Sequence, residues 1–266
     1  MDGVRGANKA KSMNIELRKQ PHRIPCGAIW GGIQPVTLDA YTKGVNAALY
    51  SNASGGSLGG DIYYMSVCSQ DLRTRMLVAD VRGHGEQVSG ISSWIYECLQ
   101  DRMNAIDCAG VLWDLNQMVH HRGSAAITTA AVVSHDIDSA AIYYSYAGHP
   151  PILMRRLGQR WSPLVLQAQS GRANLPLGMF SSVRYDQAEV RVQAGDRFLL
   201  YTDGLSEAMG PESDEEFGEA KLPALLEAEG NDDLAGVRDT LVAGVTAFSG
   251  GSLLKDDCTL MVVEVR

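Results

Sequence analysis

The sequence predicts an α+β fold in which antiparallel sheets carry helices set apart from them, and three observations support this. Apolar, β-branched and aromatic runs come in pairs separated by short polar turns, as in hairpins. Two adjacent segments instead follow a helical period. The order, strands then helices then more strands, disfavours a doubly wound βαβ sheet.

Residues 1–24 are polar, unpatterned and weakly basic (Arg5, Lys9, Lys11, Arg18, Lys19, Arg23), which predicts a flexible tail ahead of one domain over residues 25–266. Ile29 to Ile33 and Val45 to Tyr50 are short strand candidates, and Ser51 to Gly60 is a Gly- and Ser-rich loop. The stretch Gly59 to Gly85, GGDIYYMSVCSQDLRTRMLVADVRGHG, reads as one β-hairpin turning at Gln70-Asp71. Paired positions in a hairpin sum to a constant, so Asp61 faces Asp80. Directly opposed residues have Cβ atoms about 4.5–5.5 Å apart, where two like charges are destabilising unless a cation lies between them.

Beyond Gly85, Val88, Ile91, Ile95, Leu99 and Met103 form one helical stripe, and Val111, Leu112, Leu115, Met118 and Val119 form a second after Asp107. Ala125 to Ser134 and Ala140 to Tyr146, joined by Asp136-Ile137-Asp138-Ser139, predict a second hairpin. Ala147-Gly148-His149-Pro150-Pro151 breaks that strand, and Ile152 to Arg156 resumes it. Residues 169–182 form a loop around Leu175-Pro176-Leu177-Gly178. Val183 to Val192 and Arg197 to Tyr201, around Gln193 to Asp196, are expected to make a third hairpin ending at Thr202-Asp203-Gly204. An acidic excursion, Pro211 to Glu219, precedes helices near Lys221 to Ala228 and Asp233 to Phe248. Asp256-Asp257 leads into a last strand, Cys258 to Val265.

The chain has 266 residues and a formal charge of −8, which argues against a general nucleic-acid or anionic-membrane surface, because such surfaces need clustered Lys and Arg. No apolar run approaches a membrane span and no signal-peptide core opens the chain, so the expected location is cytoplasmic. Five cysteines without CxxC or zinc spacing read as buried free thiols.

Asp61, Asp80, Asp203 and the pair Asp256-Asp257 each stand where an apolar strand meets a Gly-rich or polar turn. Aspartate favours turns on propensity alone. Four in Gly-flanked settings, with two opposed across a hairpin, favour ligation of a hard ion such as Mg²⁺ or Mn²⁺ by oxygen.

The motifs GGDIYY (Gly59 to Tyr64), ADVRGHG (Ala79 to Gly85), YAGHPPILMRR (Tyr146 to Arg156), LPLGM (Leu175 to Met179), GDRFLLYTDGLSEA (Gly195 to Ala208) and DDCTLMVVEV (Asp256 to Val265) together resemble the PPM-type, protein phosphatase 2C-like family, in its bacterial SpoIIE/RsbU-like branch. They occur in the family's order over about four-fifths of the chain. The resemblance implies a β-sandwich flanked by helices in αββα layers, with two Mn²⁺ or Mg²⁺ ions at one end. Asp61, Asp80, Asp203 and Asp256 match the metal-holding acids, Val81 matches a main-chain carbonyl ligand, and Asp257 is a neighbour. It further implies that a metal-bridging water attacks phosphorus directly, with Asp61 and Asp80 as the catalytic acids. The implied substrate is phosphoserine or phosphothreonine on a small STAS-domain, anti-anti-sigma-like protein of a partner-switching signalling pathway.

Two positions depart from the pattern. Tyr64 stands where many relatives carry an acid, and Arg82 stands where they are small or apolar. Arg82 either offers its guanidinium to a substrate phosphate or forms a surface ion pair. His84 and His149 read as loop histidines satisfied by backbone rather than as general acids. Ser124, Thr128 and Ser206 show no triad spacing. Two other functions stay open at this point: a non-catalytic phosphoprotein-binding regulator, whose mark would be a missing metal acid, and a metal-dependent hydrolase of a small phosphoester.

Overall fold

Every residue of Asp61–Val67 is buried. A strand open to solvent on one face alternates, so this one is covered on both. In the computed structural model the described residues are 20–102, 107–166, 174–211, 215–228, 233–251 and 256–266. The strands are β1 (His22–Arg23), β2 (Ile29–Gly32), β3 (Val36–Tyr41), β4 (Val45–Asn52), β5 (Asp61–Val67) and β6 (Arg73–Val81), then β7 (Thr128–Asp136), β8 (Ala141–Ala147), β9 (Leu153–Arg155), β10 (Ser162–Pro163), β11 (Ala188–Arg191), β12 (Arg197–Tyr201) and β13 (Cys258–Val265). Helices α1 (Ser89–Gln100) and α2 (Cys108–Arg122) follow β6. The short α3 (Asp203–Ser206), α4 (Lys221–Ala228) and α5 (Leu234–Phe248) lie between β12 and β13.

Two sheets stack, one in the order β1-β3-β4-β13-β12-β9-β10 and the other β11-β8-β7-β6-β5-β2. Between them lies an apolar layer that includes Leu49, Met65, Met76, Val78, Phe198, Leu200, Met261 and Val263. The alternate residues of the six-stranded sheet, among them Ile62, Tyr64, Leu77 and Val132, pack on Ile95, Leu99, Leu112 and Leu115 of α1 and α2. On the other outer face, Leu199, Leu260 and Val262 pack on Leu222, Leu226, Leu241 and Val245 of α4 and α5. The result is four layers, αββα. At about 1.5–3 kcal/mol for each fully buried aliphatic side chain, these three apolar layers dominate what holds the sheets to each other and the helices to the sheets.

Period 2 decides where the strand-end acids point. Asp61 shares the parity of Tyr63 and Met65, and Asp80 that of Met76 and Val78, so both face the layer between the sheets. The helices follow their stripes: α1 buries Ile95 and Leu99, and α2 buries Val111, Leu112, Leu115 and Val119. The Asp107 side chain caps α2 by accepting from the Gly110 amide, and His120, His121 and Arg122 fill its last turn, where positive charge opposes the helix dipole favourably. Met103 of the expected first stripe lies outside the described residues.

Three expectations need correction. The third hairpin does not exist. The turn itself forms, with the Asp196 amide donating to Gln193 O at 3.1 Å, but β11 pairs with β8 in one sheet while β12 pairs with β9 and β13 in the other. Asp196 explains the parting. Its carboxylate accepts from the Leu157 amide at 2.8 Å and its carbonyl from the Val265 amide at 2.9 Å, which commits the chain after the turn to the seven-stranded sheet.

The flexible tail expected over residues 1–24 does not hold for its last residues. Residues 1–19 lie outside the described residues, whereas His22–Arg23 pairs in parallel with β3 and Ile24 is buried. Strand β3, VTLDAY, was not expected at all. Of the loop 169–182 and the acidic excursion, residues 169–173 and 212–214 lie outside the described residues. Near each, Thr128 bridges Leu177 and Met209 bridges Glu216.

Candidate metal centre and active site

The β5–β6 register places Asp61 directly opposite Asp80, with the turn at 70–71 as the sequence predicts. Asp61 is 2 % exposed. The Thr202 hydroxyl donates to its Oδ2 at 2.7 Å, and Thr202 Oγ1 in turn accepts from the Thr259 amide at 2.9 Å. Thr259 Oγ1 is bonded to Ser51 Oγ at 2.8 Å, so three strands of the seven-stranded sheet lock the Asp61 side chain from across the sandwich. Asp61 Oδ1 is buried without a hydrogen-bond partner among the described residues. An orphaned carboxylate oxygen of this kind is costly unless a positive ligand meets it.

The other acids arrive from β12 and β13. Thr202 is the N-cap of α3, and Asp203 opens that helix, partly buried. At Gly204 a Cβ would run into the Asp257 carbonyl oxygen, so glycine alone lets the TDG turn lie against the start of β13. Asp256 is exposed. Asp257 is 2 % exposed, and its carboxylate accepts from the amides of Ser54 at 2.6 Å, Gly60 at 2.5 Å and Gly85 at 2.9 Å. It therefore ties together the loop before β5, the start of β5 and the GHG loop after β6. Val81 is the last residue of β6, and its carbonyl would sit 3.1 Å from a Cβ placed on Gly60.

Burial is the largest cause that pushes Asp61 and Asp80 well above the usual carboxylate range. The Thr202 and Thr259 hydroxyls only partly offset it for Asp61, while Asp61 and the other acids add to it for Asp80. Asp203 and Asp256 are raised as well, chiefly by burial, with Asp203 and Asp257 adding to the effect at Asp256. Among the described residues no Lys or Arg forms an ion pair with any of these acids. Nor are three His, Cys, Asp or Glu groups gathered tightly enough, as the side chains stand, to hold an ion outright. What fits a hard cation is the chemistry of the donors, which are all oxygen, mutually repelling, and include one orphaned acceptor.

Arg82 is exposed, and its guanidinium makes no ion pair or hydrogen bond among the described residues. His84 is exposed and close enough to Asp256 to lower its pKa. His149 differs from expectation. It is buried and neither ring nitrogen has a partner among the described residues, so no backbone satisfies it; burial holds it down at about 3, neutral at ordinary pH. Thr128 and Ser206 donate their hydroxyls to the carbonyls of Ala126 and Asp203, and Ser124 is exposed. The residues that sequence reasoning missed are Thr202 and Thr259, while Asp257, expected only as a neighbour of the metal-holding acids, is the residue that ties three loops together. Strand parity could have found the threonines, because both alternate with outward-facing residues of β12 and β13.

The family described as Stage II sporulation protein E (SpoIIE) matches residues 70–266. This chain belongs to the SpoIIE family. The match starts inside the β5–β6 turn, so the place of Asp61 rests on its pairing with Asp80. The phosphoserine phosphatase RsbP of Bacillus subtilis (strain 168) is 25 % identical over 230 residues, covering 82 % of this chain and 51 % of RsbP. Stage II sporulation protein E of Priestia megaterium is 23 % identical over 255 residues, covering 95 % and 40 % respectively. The chain thus spans about half the length of these curated relatives or less.

Among solved structures, the SiaA-PP2C domain of Pseudomonas aeruginosa superposes with a TM-score of 0.70 at 20 % identity over 82 % of this chain and 85 % of that one. The PP2C phosphatase domain of SpoIIE from Bacillus subtilis, with a fragment of its regulatory domain, gives 0.69 at 20 % identity over 90 % and 70 %. RsbX in complex with magnesium gives 0.63 at 15 % identity over 87 % and 100 %. These likenesses show the fold: the SpoIIE-family chain has the PP2C-like αββα architecture. No helix among the described residues is long and apolar enough to cross a membrane.

Proposed function

We propose that this SpoIIE-family chain is a metal-dependent protein-serine/threonine phosphatase. The observation that carries this reading is the facing pair Asp61 and Asp80: two carboxylates held opposite one another and largely buried, with, among the described residues, one oxygen orphaned and no cationic side chain paired to them. Such a pair destabilises the fold unless a cation is bound. In this reading Asp61, Asp80, the Val81 carbonyl, Asp203 and Asp256 hold two Mn²⁺ or Mg²⁺ ions. When bound, the ions supply a water acidified enough to attack near neutral pH and positive charge for the phosphoryl oxygens.

The rest is positioning by the chain itself. Thr202 fixes the Asp61 rotamer, so the carboxylate needs no reorganisation on binding. Asp257 fixes the three loops that carry or flank Asp61, Asp80 and Val81. In this reading Arg82, one residue beyond Val81 and unpaired among the described residues, would take two phosphate oxygens in parallel. The relatives' names support a phosphoprotein substrate, since RsbP is named a phosphoserine phosphatase and another solved relative joins RsbU and RsbW domains in Mycobacterium tuberculosis Rv1364c. We infer that the partner is a phosphorylated STAS-domain protein of a partner-switching pathway.

Hydrolysis of phosphopeptides, nucleotides and p-nitrophenyl phosphate, each with Mn²⁺ and with excess chelator, tests the proposal. The expected pattern is Mn²⁺-dependent release from phosphoserine peptides that chelator abolishes. Arg82→Ala should raise KM for the phosphoprotein about tenfold, the lower end for a hydrogen bond to a charged group. Full activity in excess chelator would overturn the reading.

A further inference from the structure

At the far end of the β5–β6 hairpin, the thiol of Cys26 is brought against the backbone carbonyls of Cys68 and Ser69. Pro25 to Ala28 form a tight turn in which the Ala28 amide donates to Pro25 O at 3.1 Å, Cys26 occupies the first corner and Gly27 the second, with φ of 73°. The next backbone bonds, Gly27 amide to Val67 O and Val67 amide to Ala28 O, both 3.0 Å, set two residues against one and make a bulge with Gly27 as its left-handed member. Turn and bulge together carry Cys26 onto the peptide that follows β5. Its thiol lies 3.4 Å from Cys68 O and 3.0 Å from Ser69 O.

Cys68 itself is anchored at the start of the hairpin turn. Its amide donates to Arg73 O at 2.9 Å, and its Sγ accepts from the Arg73 amide at 3.2 Å. The other three thiols, Cys98, Cys108 and Cys258, are buried, whereas Cys26 is exposed and Cys68 partly so.

We propose that Cys26 and Cys68 form an oxidation-sensitive dithiol that closes to an intramolecular disulfide when the protein meets hydrogen peroxide. The step balances as follows. The Cys68 thiolate attacks one peroxide oxygen and the O–O bond breaks, leaving a sulfenic acid and hydroxide. The Cys26 sulfur then displaces that sulfenic oxygen as water. Two thiols are oxidised by two electrons, and the peroxide is reduced to two waters.

Cys68 is the attacking sulfur because of its surroundings. Partial burial pushes its thiol up, but the amides of Gln70, Leu72 and Arg73 and the Arg73 guanidinium outweigh that and hold it below its ordinary value. Cys26 is the resolving sulfur because its turn already holds it against the Cys68 carbonyl. A disulfide then requires the two side chains to turn until their sulfurs meet in bonding geometry.

The test uses the whole chain with hydrogen peroxide, thiol counting and unreduced peptide mapping by mass spectrometry. Two thiols per chain should disappear into one Cys26–Cys68 cross-link that dithiothreitol reverses, while the peptides carrying Cys98, Cys108 and Cys258 stay reduced. Cys26→Ser should leave Cys68 as a sulfenic acid that dimedone captures. Cys68→Ser should slow the loss of the remaining exposed thiol at least about tenfold, as expected when the thiolate-stabilising site is gone. A cross-link between two chains, a pairing that recruits a buried cysteine, or a Cys26 that reacts equally fast in Cys68→Ser would overturn the proposal.

Discussion

The two ends of the β5–β6 hairpin carry acids in opposite circumstances. At one end Asp61 and Asp80 face each other between the sheets, with no cation among the described residues and both carboxyls raised. At the other, Asp71 sits in the turn with φ of 59°, partly exposed, and nearby Asp136 is paired with Arg73 at 2.7 Å. Both ends belong to the same two strands, so local sequence does not separate them. What separates them is the rest of the molecule: the second sheet closes over one end and leaves the other to water. Charge in a strand-end aspartate is therefore a local matter at residue 71 and a molecule-wide one at residues 61 and 80.

The largest expected effect tests this contrast at the site end. Asp80→Asn keeps the size of the side chain while removing one charge, and it should lower turnover by about a hundredfold to a thousandfold. It should also abolish most of the Mn²⁺-induced rise in Tm. Without metal the variant should be no less stable than wild type and could gain about 0.2–1 kcal/mol, since a like-charge pair is relieved. Thermal melts with and without Mn²⁺, run beside phosphatase assays, check all three.

Next in size is Asp257→Ala. Three amides would lose a charged acceptor in a buried place, which should cost about 2–4 kcal/mol in urea melts whether or not metal is present. Asp256→Ala should instead leave metal-free stability within about 0.5 kcal/mol and weaken only the response to Mn²⁺. Equal losses from both substitutions would erase the distinction between a structural and a ligating acid.

A smaller effect should appear in the pH dependence of the metal-free protein. Folded-state pKa values of Asp61 and Asp80 lie above their unfolded values, so the fold binds more protons there than the unfolded chain does. That stabilisation is fully present below about pH 4 and is lost as pH rises through the raised folded values. Metal-free stability should thus decline across pH 4–8 at the expense of this pair, and Asp80→Asn or saturating Mn²⁺ should flatten the slope. Urea melts across that range would show it. The smallest effect belongs to the turn: Asp71→Asn suits a left-handed residue and should change stability by less than about 0.5 kcal/mol, with activity and metal response unchanged.

The sequence made the hairpin register legible because an acid at each end and a polar break in the middle leave one pairing that sums correctly, and the fold reproduces it. Similar turn grammar at Gln193 to Asp196 misled. A turn fixes only where the chain bends, and the partners of β12 are chosen by the central position of a strand buried on both faces. Strand β3 escaped notice because Thr37 and Asp39 break its apolar pattern at the edge of the core. In the doublet Asp256-Asp257 nothing local tells which acid turns inward; the amides that decide it come from residues 54, 60 and 85. His149 was misread for a similar reason, since a loop motif does not reveal that the loop is covered.

Asp257 also bears on how the protein comes into being. Strand β13, which follows it, is the last strand in sequence yet sits in the interior of its sheet between β4 and β12, strands separated by well over a hundred residues of chain. A ribosome emitting this chain exposes the acidic hairpin early and supplies its organiser late. Until then the loops at Ser54, Gly60 and Gly85 lack their common acceptor, and the seven-stranded sheet lacks its inner strand. Assembly of the acid cluster therefore waits on pairing between segments far apart in the chain, with the slow kinetics expected of long-range contacts. A chain released before residue 256 would carry Asp61, Asp80 and Asp203 without the acid that ties the loops at Ser54, Gly60 and Gly85 together.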